Sequence, residues 1–290
     1  MWADVSARAS QRGRQFGGGL PVAFTQENVS LISQLGSLRR SLLCALYRRT
    51  AALGDHGPIV SFTFDDFPRT ASSTGGAILE AYGARGTYYV TAGLMNVSNE
   101  LGELFVADDL PPLLEKGHEL GTQTFRHSSG RSVSPAAFRN DVQDGIKALE
   151  RLVGYNSTNF AYPYGHATLR SKRALSAVLA SARSVIPGFN GPEIDLNLLL
   201  AHRLYGDVEM SHQVEDLILQ NEKQETWLIF YTHDVRPNHS EYGCTPALLE
   251  FAVSRAAKSG NRILTVEQVL AELGIKSQRE CENCGVKTSV

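Results

Sequence analysis

Cysteine is scarce in this chain: there are four in 290 residues, Cys44, Cys244, Cys281 and Cys284, too few and too scattered to staple a small secreted scaffold. Long hydrophobic runs are missing too. The longest near the N-terminus, 42–46, is bracketed by Arg39, Arg40, Arg48 and Arg49 and falls far short of the roughly 18 residues a membrane span needs. No secretory-signal pattern is apparent, so a reduced, cytoplasmic setting is the expectation. Nor does charge of one sign dominate. With 28 Lys+Arg against 30 Asp+Glu the net charge is −2, which argues against a dedicated nucleic-acid binder. At 42% hydrophobic, with Gly 26 and Pro 11, the composition excludes disordered, collagen-like and coiled-coil chains. The length allows one large core or two small ones.

The charge that is present is unevenly spread. Seven arginines against Asp4 and Glu27 give residues 1–50 a net +5, leaving −7 for the other 240 residues. Residues 1–30 are rich in Arg, Ser and Gly without a sustained period and read as a mobile basic leader. Residues 31–58 read as an amphipathic helix and linker: Leu31, Leu35, Leu38, Leu42 and Leu46 recur at helical spacing through 52, with arginines opposite. Such a helix could lie on a membrane surface, but packing on the domain is the commoner outcome. Residues 276–290 read as a polar tail, and its Cys281-Glu-Asn-Cys284 lacks the second ligand pair that a zinc site would want.

Between 59 and 275 short apolar runs alternate with helical periods. Strands are predicted at 59–64, 87–90, 118–122, 159–161, 184–186, 227–231 and 262–264. Helices are predicted at 74–82, 109–116, 135–152, 169–179, 212–222, 246–259 and 266–273, with Ser134 and Thr245 as caps ahead of Pro135 and Pro246. About seven βα units in one domain imply an α/β fold with a parallel sheet closed into a distorted (β/α) barrel. In such a fold the chemistry lies where strands end and loops begin.

Four strand ends carry polar groups. Thr63-Phe64-Asp65-Asp66 ends the first strand in adjacent carboxylates, suited to divided labour between metal binding and proton transfer. A second strand runs into Gln123-Thr124-Phe125-Arg126-His127, a third into Tyr162-Pro163-Tyr164-Gly165-His166, and a fourth into Tyr231-Thr232-His233. One such strand end is usually structural; four expected on one face point to a site.

With these motifs the chain resembles the NodB-homology polysaccharide deacetylases of carbohydrate esterase family four, over roughly 59–273, and looks like a chitooligosaccharide deacetylase. The resemblance implies that Asp65 is the general base, that Asp66 and His127 bind a divalent metal, zinc or cobalt, and that His233 protonates the leaving amine. Pro163-Tyr164-Gly165 matches the motif whose Tyr backbone N–H holds the oxyanion. Thr124 would contact substrate or support a ligand. Two positions depart from the pattern. Gln123 stands where the family has its first metal-binding histidine, and Ala161 where members often carry an arginine that orients the base. Arg183 and Arg203 lie in a stretch, with Asp195, that could supply the missing arginine. The resemblance implies a metal-dependent hydrolase removing N-acetyl, or O-acetyl, groups from an amino-sugar oligo- or polysaccharide, with an acetylated carbohydrate as its partner. A small-amide C–N hydrolase is an alternative on the same scaffold, and a silent carbohydrate-binding relative is another.

The chemistry stands apart from the name. Hydrolysing an amide at neutral pH needs an activated water, a polarised carbonyl and a proton for the departing nitrogen. An amide oxygen at Gln123 is a weaker zinc ligand than imidazole. Gln123→His is therefore expected to raise both zinc content after dialysis and acetate release; no gain in either counts against the ligand set.

Overall fold

The computed structural model describes residues 26–275. The leader up to residue 25 and the tail with Cys281 and Cys284 lie outside the described residues. In chain order come helix α1 (Gln26–Ala45), strands β1 (Thr50–Ala52) and β2 (Ile59–Phe64), α2 (Ala77–Ala81), β3 (Thr87–Val90), β4 (Ser98–Asn99), β5 (Gly102–Glu103), α3 (Leu110–Glu115), β6 (Glu119–Thr122) and α4 (Pro135–Val153). There follow β7 (Asn159–Ala161), α5 (Leu169–Leu175), β8 (Ser181–Arg183), β9 (Glu193–Asp195), β10 (His202–Arg203), α6 (Ser211–Gln224), β11 (Trp227–Thr232), α7 (Pro246–Lys258), β12 (Arg262–Ile263) and α8 (Val266–Glu272). The chain divides at Leu42 into two compact units, and the one beginning at Leu43 holds the sheet.

Seven strands run parallel in the order β10-β11-β2-β3-β6-β7-β8, and β12 pairs with the first residues of β2. The two ends of this path are joined by irregular chain. Leu199 N–H donates to Ala182 O (2.8 Å) and Ala201 N–H to Ile186 O (3.0 Å), just before that stretch becomes β10. The result is the distorted (β/α) barrel that the alternation of strand and helix signals predicts. The proline-led helices begin as expected: Ser134 accepts from Ala137 N–H and Thr245 from Leu248 N–H.

Three expectations are corrected. The helix read through residue 52 stops at Ala45: Tyr47 has a positive φ of 51°, and Thr50–Ala52 is drawn into antiparallel pairing with β9. The fifth predicted strand, 184–186, lies three residues earlier, at Ser181–Arg183. Its Val-Ile pair carried the apolar signal, but the register partners of β7 are the inconspicuous Ser181, Ala182 and Arg183. The helix read over 74–82 begins as a π-helical turn, Ala71–Gly76, before α2.

Alternation along the strands sorts residues into two layers. Val60, Phe62 and Phe64 face outward and join Leu248, Leu249, Ala252 and Val253 of α7 in the main apolar cluster. Ile59, Ser61 and Thr63 face inward, where Trp227 Nε1 donates to Ser61 Oγ at 2.9 Å and packs with Ile229 and Tyr231. Trp227 is thus a core residue. The N-terminal end of the barrel interior is polar. Glu119 accepts from Thr87 Oγ1 (2.8 Å), Asn159 Nδ2 (2.6 Å) and Glu267 N–H (2.8 Å), and Ser181 Oγ donates to Asn159 (2.9 Å). One chain of hydrogen bonds therefore crosses β3, β6, β7 and β8 and ties in α8.

Burial, helped by the charge of Glu267, pushes the Glu119 carboxyl up to about 7. Its usual value is near 4.3, so between about pH 4.5 and 7 the unfolded chain gives up this proton while the folded chain keeps it. Stability conferred at Glu119 is thus fullest at low pH and declines as pH rises through that window, by at most about 4 kcal/mol. Glu119→Gln is expected to flatten this decline in urea midpoints measured from pH 4.5 to 7.5; parallel curves for the two proteins would contradict the assignment.

Candidate active site

The inward parity of β2 continues to Asp65, whose N–H still donates to Thr232 O of β11 at 2.9 Å. Asp66 should then face outward. It does not, because its φ is +57°, a left-handed conformation that asparagine and aspartate tolerate better than most side chains. The kink turns Asp66 back over the barrel mouth and leaves Phe67, fully buried, to stack on Phe105 at 5.3 Å. Both carboxylates are almost fully buried at one end of the sheet.

Gln123 continues the inward face of β6, its N–H donating to Val90 O at 3.1 Å. Its side chain bridges: Oε1 accepts from Asp66 N–H at 3.3 Å, and Nε2 lies 3.3 Å from His127 Nε2. Thr124 and His127 both have positive φ, and Ser128 N–H donates to Thr124 Oγ1 at 3.0 Å. The buried Thr124 side chain thus braces the tight loop that returns His127 to the carboxylates. His127 Nε2 lies 3.2 Å from Asp66 Oδ1. Burial lowers the His127 imidazole to about 4, so it is neutral at pH 7. Burial, opposed by His233 and reinforced by Asp65, raises Asp66 to about 6, leaving it mostly ionised at that pH.

His233 follows β11 on the other side. Its Nδ1 is 3.1 Å from Tyr242 O, which also accepts from His233 N–H at 3.2 Å. A carbonyl only accepts, so in the neutral ring the proton sits on Nδ1, and Nε2 is turned toward Asp66 Oδ2, 3.9 Å away. The loop that presents Tyr242 is held by buried Asp234, which accepts from Ser240 N–H (2.9 Å), Ser240 Oγ (2.6 Å) and Arg236 Nε (2.7 Å).

Tyr164, after Pro163, adopts φ +57°. Its ring is 62% exposed and lies 4.4 Å from the His127 ring, so it forms one wall of the mouth. Tyr205 and Tyr242 line up beside His233 at 6.0 and 5.7 Å and form another, and no motif announces them. Tyr162 is buried, its hydroxyl donating to Asn197 O at 3.1 Å. Of the basic residues weighed for Asp65, Arg183 reaches it and forms an ion pair between Nη2 and Oδ1. Asp195 serves elsewhere, pairing with Lys172 at 2.5 Å. His118 is structural, accepting from Gly86 N–H at 3.0 Å and facing Glu80 at 3.2 Å. His166 contacts Ser129 Oγ at 2.9 Å. The largely solvated Arg126 pairs with Asp141 at 3.4 Å.

Among the described residues no group of three His, Cys, Asp or Glu side chains converges to hold a metal. Two donors nevertheless fit a divalent ion. Asp66 Oδ1 is buried without a hydrogen-bond partner, and its 3.2 Å separation from Nε2 of the neutral His127 imidazole approaches the roughly 3.4 Å edge of a tetrahedron with zinc-like bonds. The third corner falls to the Gln123 amide, whose oxygen must leave Asp66 N–H to serve.

Residues 54–180 match the family model for polysaccharide deacetylase. The matched span contains Asp65, Asp66, Gln123, His127 and Tyr164. Among solved structures the chain is similar to a family 4 acetyl xylan esterase from Clostridium thermocellum in complex with a cobalt ion, at 17% identity and a TM-score of 0.52, covering 76% of this chain and 93% of that one. It is also similar to a T48 deacetylase with substrate, at 17% identity and a TM-score of 0.49 over 77% and 95% of the two chains. Peptidoglycan deacetylase PdaC from Bacillus subtilis follows at 17% identity and a TM-score of 0.45, over 81% and 99%. No curated protein matches the sequence.

With labelled histidine, nitrogen chemical shifts at mildly alkaline pH are expected to place the His233 proton on Nδ1. A proton on Nε2 would contradict the role assigned to the Tyr242 carbonyl.

Proposed function

We propose that the protein is a carbohydrate deacetylase that removes N-acetyl groups, with O-acetyl groups as a second substrate class, from an amino-sugar oligosaccharide. The observation that carries this reading is the placing of Asp66 between two histidines, His127 at 3.2 Å and His233 at 3.9 Å, with Asp65 beside it as a second buried carboxylate. Asp66 and His127, with the Gln123 amide as the weakest donor, would hold a divalent cation, which when bound polarises the acetyl carbonyl and acidifies water.

The chain's own groups divide the remaining work. Asp65 takes the proton of the attacking water on its carboxylate. Tyr164 directs its backbone N–H to the carbonyl oxygen as negative charge develops there. In its imidazolium form His233 carries a second proton on Nε2, the atom turned inward while Nδ1–H stays on the Tyr242 carbonyl, and gives that second proton to the departing nitrogen, returning to the neutral Nδ1–H ring. The exposed Tyr164 ring and the Tyr205 and Tyr242 walls present apolar faces for sugar rings.

Gln123 favours a second reading, a relative that binds acetylated sugar without turning it over. Acetate release from acetylated chitooligosaccharides, with zinc or cobalt added, separates the two. The deacetylase reading expects turnover that falls about 100-fold or more in Asp65→Asn and in His233→Ala. Sugar binding without acetate release in the wild-type chain would establish the silent reading instead.

A further inference from the structure

Arg183 is the most completely buried charge in the site, with no solvent exposure at all. Its guanidinium lies 5.0 Å from the ring centres of both Tyr89 and Tyr231. Nη2 meets Asp65 Oδ1, and Nη1 donates to Ser184 O at 3.2 Å. The room for this arrangement is set by two small residues. At Gly121 a Cβ would lie 2.3 Å from Tyr89 Cδ1, so the missing side chain lets that ring lie flat beneath the guanidinium. At Ala161, also fully buried, the methyl is the direct register partner of Arg183 across the parallel pair β7 and β8.

Register partners on adjacent parallel strands point to the same face, with their side chains starting about 5 Å apart. Ala161 and Arg183 therefore open into one inward socket that has space for a single long side chain. We propose that Arg183 is the positioning residue for Asp65, and that the pair Ala161 and Arg183 forms an interchangeable socket in which either strand can supply the arginine provided the other is small. Arginine suits it for three reasons: its planar fork aims at a carboxylate, its faces stack on two tyrosines, and it stays charged when buried. Engaging Oδ1 leaves the other carboxylate oxygen of Asp65 to face the reacting water. A lysine would keep the charge and lose both the fork and the stacking.

The inference rests on the deacetylase reading for its kinetic half and not for its structural half. Four purified variants test it: Arg183→Ala, Arg183→Lys, Ala161→Arg, and Ala161→Arg combined with Arg183→Ala. Arg183→Ala is expected to lower kcat about 100-fold, with KM changed less than about threefold, and to lower Tm. Arg183→Lys should recover most of the Tm and still lose about 10-fold or more in kcat, a split that a merely structural role would not produce. Ala161→Arg alone overfills the socket and lowers Tm, whereas the double variant should recover both Tm and kcat to within about 10-fold of wild type. Wild-type kcat in a folded Arg183→Lys overturns the positioning role, and a double variant no better than Arg183→Ala in Tm overturns the socket. If the wild-type chain releases no acetate, the deacetylase reading fails while the Tm pattern still decides the socket.

Discussion

A parallel barrel turns alternate residues of each strand into a space that water does not fill, and here that inner face is polar at both ends. Every charged or polar group placed there must find a partner or forfeit several kcal/mol of solvation. Glu119, Thr87, Asn159 and Ser181 satisfy one another at the N-terminal end. Trp227 and Ser61 share a hydrogen bond midway. At the C-terminal end Arg183 neutralises Asp65. The three arrangements stand on the inward parity of strands they share in part, β8 carrying both Ser181 and Arg183 and β2 leading from Ser61 to Asp65, so the register that buries the polar chain at one end also aims Arg183 and Asp65 at the other.

The site itself is made by leaving that register. Asp66, Thr124, His127 and Tyr164 all have positive φ without being glycine, and all lie just beyond strand ends. Such conformations cost energy, and each is braced: Asp66 by Gln123, Thr124 and His127 by the loop that the Ser128 N–H bond to Thr124 Oγ1 closes, and Tyr164 between Pro163 and Gly165. The strands deliver residues in pairs of opposite direction; the left-handed kinks fold the outward member back. Two carboxylates from adjacent positions and two imidazoles from distant ones thereby share a few ångströms.

Much of this was legible in residues. The alternation of apolar runs with capped helical periods sufficed for the barrel, and Ile59–Phe64, Thr87–Val90 and Asn159–Ala161 fall where the patterns place them. Asp65, Asp66, His127 and His233 stood out because each follows a clear strand. What escaped was carried by contacts rather than by pattern. Ser181-Ala182-Arg183 has no apolar signature and becomes a strand by pairing with its neighbour. Arg183 looked no more suitable than Arg203, because only the closed barrel puts it across from Asp65. Tyr205 and Tyr242 belong to irregular chain, where no periodicity announces which way a ring points.

The proton on His233 is set by a carbonyl of the main chain. No amino-acid replacement at 242 deletes that acceptor, so the ring beside it is free to vary while the His233 imidazole keeps its orientation. Control of the proton passes instead to whatever holds the loop, which is the buried carboxylate of Asp234 and its bonds to Ser240 and Arg236. The wall of the mouth and the orientation of His233, though they meet at one residue, are thus written in different parts of it: one in the side chain, the other in the backbone.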